Sequence, residues 1–342
     1  MVPTRRPKIE VVNENEDYAL RISLPQCNLR CSYCRTQDYN IPKAELITNR
    51  ELLDIIRAAY ENGIRRVRWT GGEPTVNPQY LDLVRKTKEI GITQQMLSTN
   101  GTTLAEIGPE LAEAGINRVN ISLDTLDSAK FKKITGYDML DKVLEGIDLS
   151  TKLFEKVKIN TVLTRDSFEE STQLIDFLDR IQKTKGNVAI RFIELIPGGF
   201  EGDKEYTQSN FIGKDELIKK MKTHFGSVTR TTFEGDNPKC EYYKIKNKKV
   251  VFGVIPHFSV NFQCGGKRCR KLRLNPTGII SNCSIHKSFG HDLRNTTYEK
   301  KVTTLAHLIE EKKARTEEDF NKLKHFQSDY AFWRFGIKSK NK

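Results

Sequence analysis

The chain has 342 residues, which suits one large domain or two moderate ones. Hydrophobic residues are 37 % and charged residues 30 %, and no apolar run reaches the length of about eighteen that a membrane span needs, so a globular, cytoplasmic protein is expected. The net charge of +13 is spread along the chain rather than gathered in one arm, which ranks a basic pocket for a phosphorylated ligand above a nucleic-acid groove.

In chain order, residues 1–16 are polar and read as a flexible segment. A strand at 19–23 runs into a cysteine-containing loop. Thr48-Asn49-Arg50-Glu51 is a capping box that opens an amphipathic helix, with Leu52, Leu53, Ile55, Ile56 and Ala59 on its buried side and Gly63 ending it. Strands then follow at 67–69, 94–98, 118–122, 157–163 and 189–193. The helices between them fall near 77–90, 105–114, 127–134 and 138–153, and another is capped by Ser167-Phe168-Glu169-Glu170. Six strands alternating with helices predict parallel βαβ units curled into an α/β fold, a partial (β/α)6 TIM-type barrel. Its sites belong at the C-terminal ends of the strands. Pro197 to Asp203 reads as a boundary between a barrel over 17–200 and a C-terminal module over 201–342, where the alternation is lost.

Seven cysteines, two groups of three plus Cys240, argue against a disulfide framework. Cys27, Cys31 and Cys34 form C-x3-C-x2-C. Three thiolates suit one face of a [4Fe-4S] cluster and leave one iron without a protein ligand. A zinc knuckle is the rival, but no His or Cys follows within a dozen residues to complete a tetrahedron. Cys264, Cys269 and Cys283 form C-x4-C-x13-C. Here structural zinc stays open, since His286 or His257 could supply a fourth ligand. Thr70-Gly71-Gly72-Glu73-Pro74 follows a strand; its glycines allow close backbone approach and Glu73 can accept from an ammonium group. Ser98-Thr99-Asn100-Gly101 and Asn120 to Asp124 end two further strands and present polar groups at a barrel mouth. Lys271 and Arg273 alternate onto one strand face, and Lys158 and Arg191 enter apolar strands, placements that call for an anionic partner.

With Tyr33 before the third cysteine, the first loop resembles the cluster loop of the radical S-adenosylmethionine (SAM) superfamily. Together with RIS at 21–23, RWTGGEP, STNG, RVNISLDTLD, the ITG of 134–136, VKINTVL, RFIEL and CRKLRL, the chain from about Arg21 to Cys283 resembles the GTP 3′,8-cyclase family of molybdenum-cofactor biosynthesis. That resemblance implies a 5′-deoxyadenosyl radical that takes a ribose 3′-hydrogen from GTP, after which the carbon radical attacks guanine C8. It implies SAM and two [4Fe-4S] clusters as cofactors, held by Cys27, Cys31 and Cys34 and by Cys264, Cys269 and Cys283. Tyr33, Gly71, Gly72, Glu73, Ser122 and Ile196 would meet SAM. Arg21, Arg66, Arg68, Thr99, Lys158, Arg191, Lys271 and Arg273 would meet GTP. An electron donor such as flavodoxin or ferredoxin is implied as partner.

Three departures from the family pattern fall in the substrate half. The first auxiliary pair is C-x4-C rather than C-x2-C, Lys271 stands where the family has Arg, and the chain ends Trp333 to Lys342 without a Gly-Gly tail. They leave open a paralogue that rearranges another nucleotide. A peptide-modifying radical enzyme is a further alternative, and an Fe–S regulatory or nucleic-acid-binding protein is the non-catalytic one.

Overall fold

The computed structural model describes residues 18–34, 41–182, 187–195, 209–233, 240–256, 270–282 and 290–314. Six parallel strands, β1 (Ala19–Leu24), β2 (Arg66–Gly71), β3 (Gln94–Thr99), β4 (Ile116–Ser122), β5 (Lys156–Leu163) and β6 (Val188–Glu194), are hydrogen-bonded in chain order. Helices α1 (Asn49–Glu61), α2 (Tyr80–Ile90), α3 (Leu104–Ala114), α4 (Ser128–Thr135), α5 (Leu140–Leu153), α6 (Arg165–Glu169) and α7 (Ser171–Ile181) occupy the crossovers.

The expected six-strand core is present, and the sheet continues beyond it. β9 (Val251–Ile255) pairs parallel with β6, and β10 (Lys271–Leu274) pairs parallel with β1, at the opposite edge. Antiparallel β8 (Glu241–Ile245) and β7 (Val228–Thr231) extend one side, and β11 (Ile279–Ser281) and β12 (His291–Asp292) the other. The result is one 12-stranded mixed sheet in the order β12-β11-β10-β1-β2-β3-β4-β5-β6-β9-β8-β7. Strands after residue 200 therefore wall the same barrel rather than form a sheet of their own. Helices α8 (Lys214–Phe225) and α9 (Tyr298–Ala314) complete the described elements. Among the described residues no helix is long and apolar enough to cross a membrane.

Alternation assigns the two faces of the sheet. Leu20, Ile22, Val67, Trp69, Leu97, Val119, Ile121, Val157, Ile159, Ile190 and Phe192 are buried outward, beneath the helices. The capping box at Thr48 forms as expected: Glu51 N donates to Thr48 Oγ1 at 3.2 Å and Thr48 N donates to Glu51 Oε2 at 3.0 Å. Leu53 is only half-buried, and Ala58 takes a buried place on that face instead. The helix expected from a Ser167 cap begins earlier. Thr164 is the cap and Ser167 its N3 partner, and the helix breaks at Glu170 before α7. At the break the Glu170 carboxylate meets the loop after β4 and the start of α4. Glu170 Oε2 accepts from Thr125 Oγ1 at 2.7 Å and Leu126 N at 3.0 Å, and Oε1 accepts from Lys130 Nζ at 2.7 Å. The loop after β4 is thereby tied down.

Candidate active site

The first cysteine loop follows β1 and is held from three directions by backbone and amide groups. Gly72 N donates to Leu24 O at 2.8 Å and Glu73 N to Gln26 O at 2.5 Å, so the GGEP turn lies directly against it. A Cβ built on Gly72 would stand 2.0 Å from Gln26 O, and one on Gly71, at φ +116°, 2.2 Å from Leu24 O. No side chain fits at either position. On the other side, Arg30 N and Ser32 N donate to Thr135 O and Ile134 O, each at 2.9 Å. The ITG motif thus acts through its carbonyls. The STNG turn supplies the third brace: Asn100 Nδ2 donates to Asn28 Oδ1 at 2.8 Å, and Asn28 Nδ2 donates to Thr102 Oγ1 at 2.9 Å.

This bracing makes a pocket at the C-terminal ends of the strands. Cys27, Cys31, Cys34, Tyr33, Gly71, Gly72, Thr99 and Ser122 all border it, as do Thr70, Ser98, Asn100, Asn120, Asp124 and Asn160. Burial first, then the nearby carboxylate of Glu73 and thiol of Cys34, pushes the Cys27 thiol up. Burial, Asp124 and the other two cysteines push Cys31 up to about 12. A positively charged metal group would offset both burial and thiolate repulsion, as it does for any coordinating thiol. Among the described residues no group of three or more His, Cys, Asp or Glu side chains could hold a single metal ion. The thiols instead border one pocket at three points, which fits a cluster held by cysteines. Asp124 does not compete as a ligand. Its Oδ2 accepts from Tyr33 Oη and its Oδ1 from Val162 N at 2.7 Å, and burial raises its carboxyl to about 6.

Glu73 is placed differently from expectation. It is fully buried and does not border the pocket. Oε1 accepts from Thr75 Oγ1 at 2.6 Å, Thr75 N at 3.2 Å and Thr99 Oγ1 at 2.8 Å, and Oε2 accepts from Asn100 N at 2.5 Å. Its carboxylate binds the GGEP turn to the STNG turn, so Thr99 too is engaged in bracing. Ile196, Cys264, Cys269, Cys283, His257 and His286 lie outside the described residues. Cys240 is buried with Tyr242 and Ala189, as a packing residue.

Beneath the pocket the inward faces of the strands carry charge. They present Lys271 and Arg273 on β10, Arg21 on β1, Arg66 and Arg68 on β2, Arg118 on β4, Lys156 and Lys158 on β5 and Arg191 on β6. No Asp or Glu occupies an inward position on β10, β1–β6 or β9. Arg21 Nη2 donates to Thr70 Oγ1 at 3.3 Å. Arg191, 4 % exposed, donates from Nη2 to Asn120 Oδ1 at 2.8 Å and Asn160 Oδ1 at 2.7 Å, and from Nε to Asn160 Oδ1 at 3.0 Å. Both amides border the thiol pocket, so Arg191 sits at the junction of pocket and lumen. The two amides fix the orientation of its guanidinium. Asn120 and Asp124 lie at the pocket as expected, and Arg118, Lys156 and Asn160 extend the expected site. Alternation along β4 and β5 was the available signal for these three.

Comparison with known proteins agrees with this geometry. Residues 22–178 match the Radical SAM superfamily and residues 188–322 match Molybdenum Cofactor Synthesis C. The GTP 3′,8-cyclase of Clostridium perfringens (strain SM101 / Type A) is 37 % identical over 285 residues, 82 % of this chain and 83 % of that protein. Molybdenum cofactor biosynthesis protein moc-5 of Caenorhabditis elegans is 33 % identical over 81 % of this chain, which spans 45 % of that longer protein. Among solved structures, Streptococcus suis SuiB bound to S-adenosylmethionine gives a TM-score of 0.56 at 18 % identity over 83 % of this chain and 65 % of that one, a likeness of fold. The chain belongs to the radical SAM superfamily and, within it, to the GTP 3′,8-cyclase family.

Proposed function

We propose that this chain binds GTP in the lumen and cyclises it to 3′,8-cyclo-7,8-dihydro-GTP, using SAM held in the thiol pocket. The observation that carries the reading is the charge of the lumen: lysines and arginines on the inward faces of β10, β1, β2, β4, β5 and β6, directly below a pocket of three thiols. A triphosphate carries several negative charges, and cations gathered on one wall can meet them with charge-assisted hydrogen bonds. Cys27, Cys31 and Cys34 would hold a [4Fe-4S] cluster, which together with SAM supplies an electron and a carbon radical able to take hydrogen from the ribose.

The chain's own residues orient and enclose. Tyr33, Gly71, Gly72 and Ser122 border the space for SAM. Glu73 we assign to bracing, because its four accepted hydrogen bonds hold the turns that carry Gly72 and Asn100. Arg21, Arg66, Arg68, Lys158, Arg191, Lys271 and Arg273 receive the triphosphate, with Arg191 nearest the mouth. Cys264, Cys269 and Cys283 are the residues for an auxiliary cluster, and an electron-transfer protein of the flavodoxin or ferredoxin class is the reductant.

The test is anaerobic incubation with SAM, a reductant and each nucleoside triphosphate in turn, with ribose deuterium followed into 5′-deoxyadenosine. GTP is expected to be the donor. Transfer from another nucleotide and not from GTP would replace the reading with a paralogue acting on that nucleotide.

A further inference from the structure

The first cysteine loop carries one cation on its outer side. Arg30 stands between Cys27 and Cys31 and is exposed, yet its side chain is anchored. Its Nη1 donates to Cys27 O and to Leu29 O, each at 2.9 Å. Its backbone N donates to Thr135 O at 2.9 Å. Gly136, left-handed at φ +80°, lies against the stem: a Cβ built there would stand 3.6 Å from the Arg30 Cβ. The two carbonyls are its side-chain acceptors among the described residues, and no carboxylate is paired with it. They fix the guanidinium beside the first thiol without neutralising it.

The other charges around the thiols have the opposite sign. Burial pushes the Cys27 thiol up, Glu73 and Cys34 push it further, and the Leu29 amide and the Arg30 charge draw it down. Asp124 and the neighbouring cysteines act on Cys31 as Glu73 and Cys34 act on Cys27. One-electron reduction would add negative charge to a group already ringed by thiolates and two carboxylates. Cluster potentials follow net charge, hydrogen bonds to sulfur and exposure. A fixed cation on the outer side of this loop therefore favours the reduced form.

We infer that Arg30 is a positioning residue of the first cysteine site, closing the turn between Cys27 and Cys31 and, through its charge, raising the potential at which the cluster accepts an electron. The inference rests on the assignment of a [4Fe-4S] cluster to Cys27, Cys31 and Cys34. It is tested on the full chain, reconstituted anaerobically, in Arg30→Gln and Arg30→Lys. Gln keeps a donor for the carbonyls and loses the charge; Lys keeps the charge and loses the planar fork. Iron per chain is measured, and reduction by graded additions of dithionite is followed in the electron paramagnetic resonance signal that changes when SAM is added. That signal belongs to the loaded fraction, so partial loss of iron leaves the potential readable. Arg30→Gln should shift the reduction equilibrium roughly tenfold toward the oxidised form, about 59 mV for one electron. Arg30→Lys should stay within about twofold of the parent chain. The gap between Arg30→Gln and the parent should narrow at about 1 M salt, because an exposed charge is screened. If Arg30→Gln binds no iron, the Lys variant decides: a parent-like potential supports the inference and a lowered one refutes it. A Gln variant with the parent's potential, equal displacement of both variants, or a gap that salt leaves untouched would overturn the inference and leave Arg30 a clamp on the turn. A parent chain with no SAM-responsive signal, or Cys31→Ala that retains it, would sink the cluster assignment beneath it instead.

Discussion

Adding one methyl group at Gly72 should empty the first cysteine site. The new Cβ of Gly72→Ala would stand 2.0 Å from the carbonyl oxygen of Gln26, the residue immediately before Cys27. Carbon and oxygen need roughly 3.3 Å, so one backbone segment must retreat by more than about 1 Å. Retreat lengthens two hydrogen bonds, Gly72 N to Leu24 O at 2.8 Å and Glu73 N to Gln26 O at 2.5 Å. At about 1 kcal/mol each, with overpacking strain of about 1–3 kcal/mol, the cost is about 3–5 kcal/mol. The larger consequence is positional, because an ångström at Cys27 is a misplaced ligand. Iron and sulfide per chain after anaerobic reconstitution, and 5′-deoxyadenosine released from SAM, read the effect. Both should fall severalfold or more. Gly63→Ala is the control. Its φ is also left-handed, at +84°, but nothing lies within 4 Å of an added Cβ, so the cost is only the local conformation, about 1–2 kcal/mol, and iron content should be normal. Gly72→Ala with unchanged iron and SAM cleavage would refute the reasoning that the GGEP turn sets the position of Cys27.

Other outcomes follow from the same contacts. Cys31→Ala should abolish reductive cleavage of SAM, and a variant that still yields 5′-deoxyadenosine would refute the cluster assignment. The reconstituted parent chain should carry about eight irons if both cysteine groups hold [4Fe-4S]; four irons with one zinc would contradict the second cluster. Arg191→Met should raise KM for GTP by roughly tenfold, while Asn160→Ala, which removes two of the accepting contacts to that guanidinium, should do so to a lesser degree. Burial pushes the Glu170 carboxyl up, but donors from Lys130, Thr125 and Leu126 more than offset it and hold it below the usual carboxylate range. A depressed folded value means stability present above the ordinary carboxylate range and lost as pH falls through the folded value. Glu170→Gln should therefore lower stability by about 1–2 kcal/mol at neutral pH, with the difference from the parent chain shrinking in thermal melts as pH falls below the ordinary carboxylate range.

The sequence by itself determined the reaction type and the parallel core. The C-x3-C-x2-C spacing specifies a thiolate set that few chemistries use, and six apolar strand patterns between amphipathic helices admit few topologies. Local rules also settled the Thr48 cap and the same-face placement of Lys271 and Arg273, because both depend on residues a few positions apart. Only the tertiary structure decided what depends on distant segments meeting. Nothing near Lys271 in the chain says that its strand pairs with Ala19, so the side-by-side placement of Arg273, Arg21 and Arg68 is a property of register. Glu73 reads as a ligand-facing acid in its own turn, and becomes a brace only because Thr99 and Asn100 arrive from β3. Likewise Glu170, read as part of a helix cap, reaches the loop after β4 only because Thr125, Leu126 and Lys130 come to lie beside it. A motif names the residues that chemistry requires; which of them face the substrate is fixed by the strands that come to lie beside them.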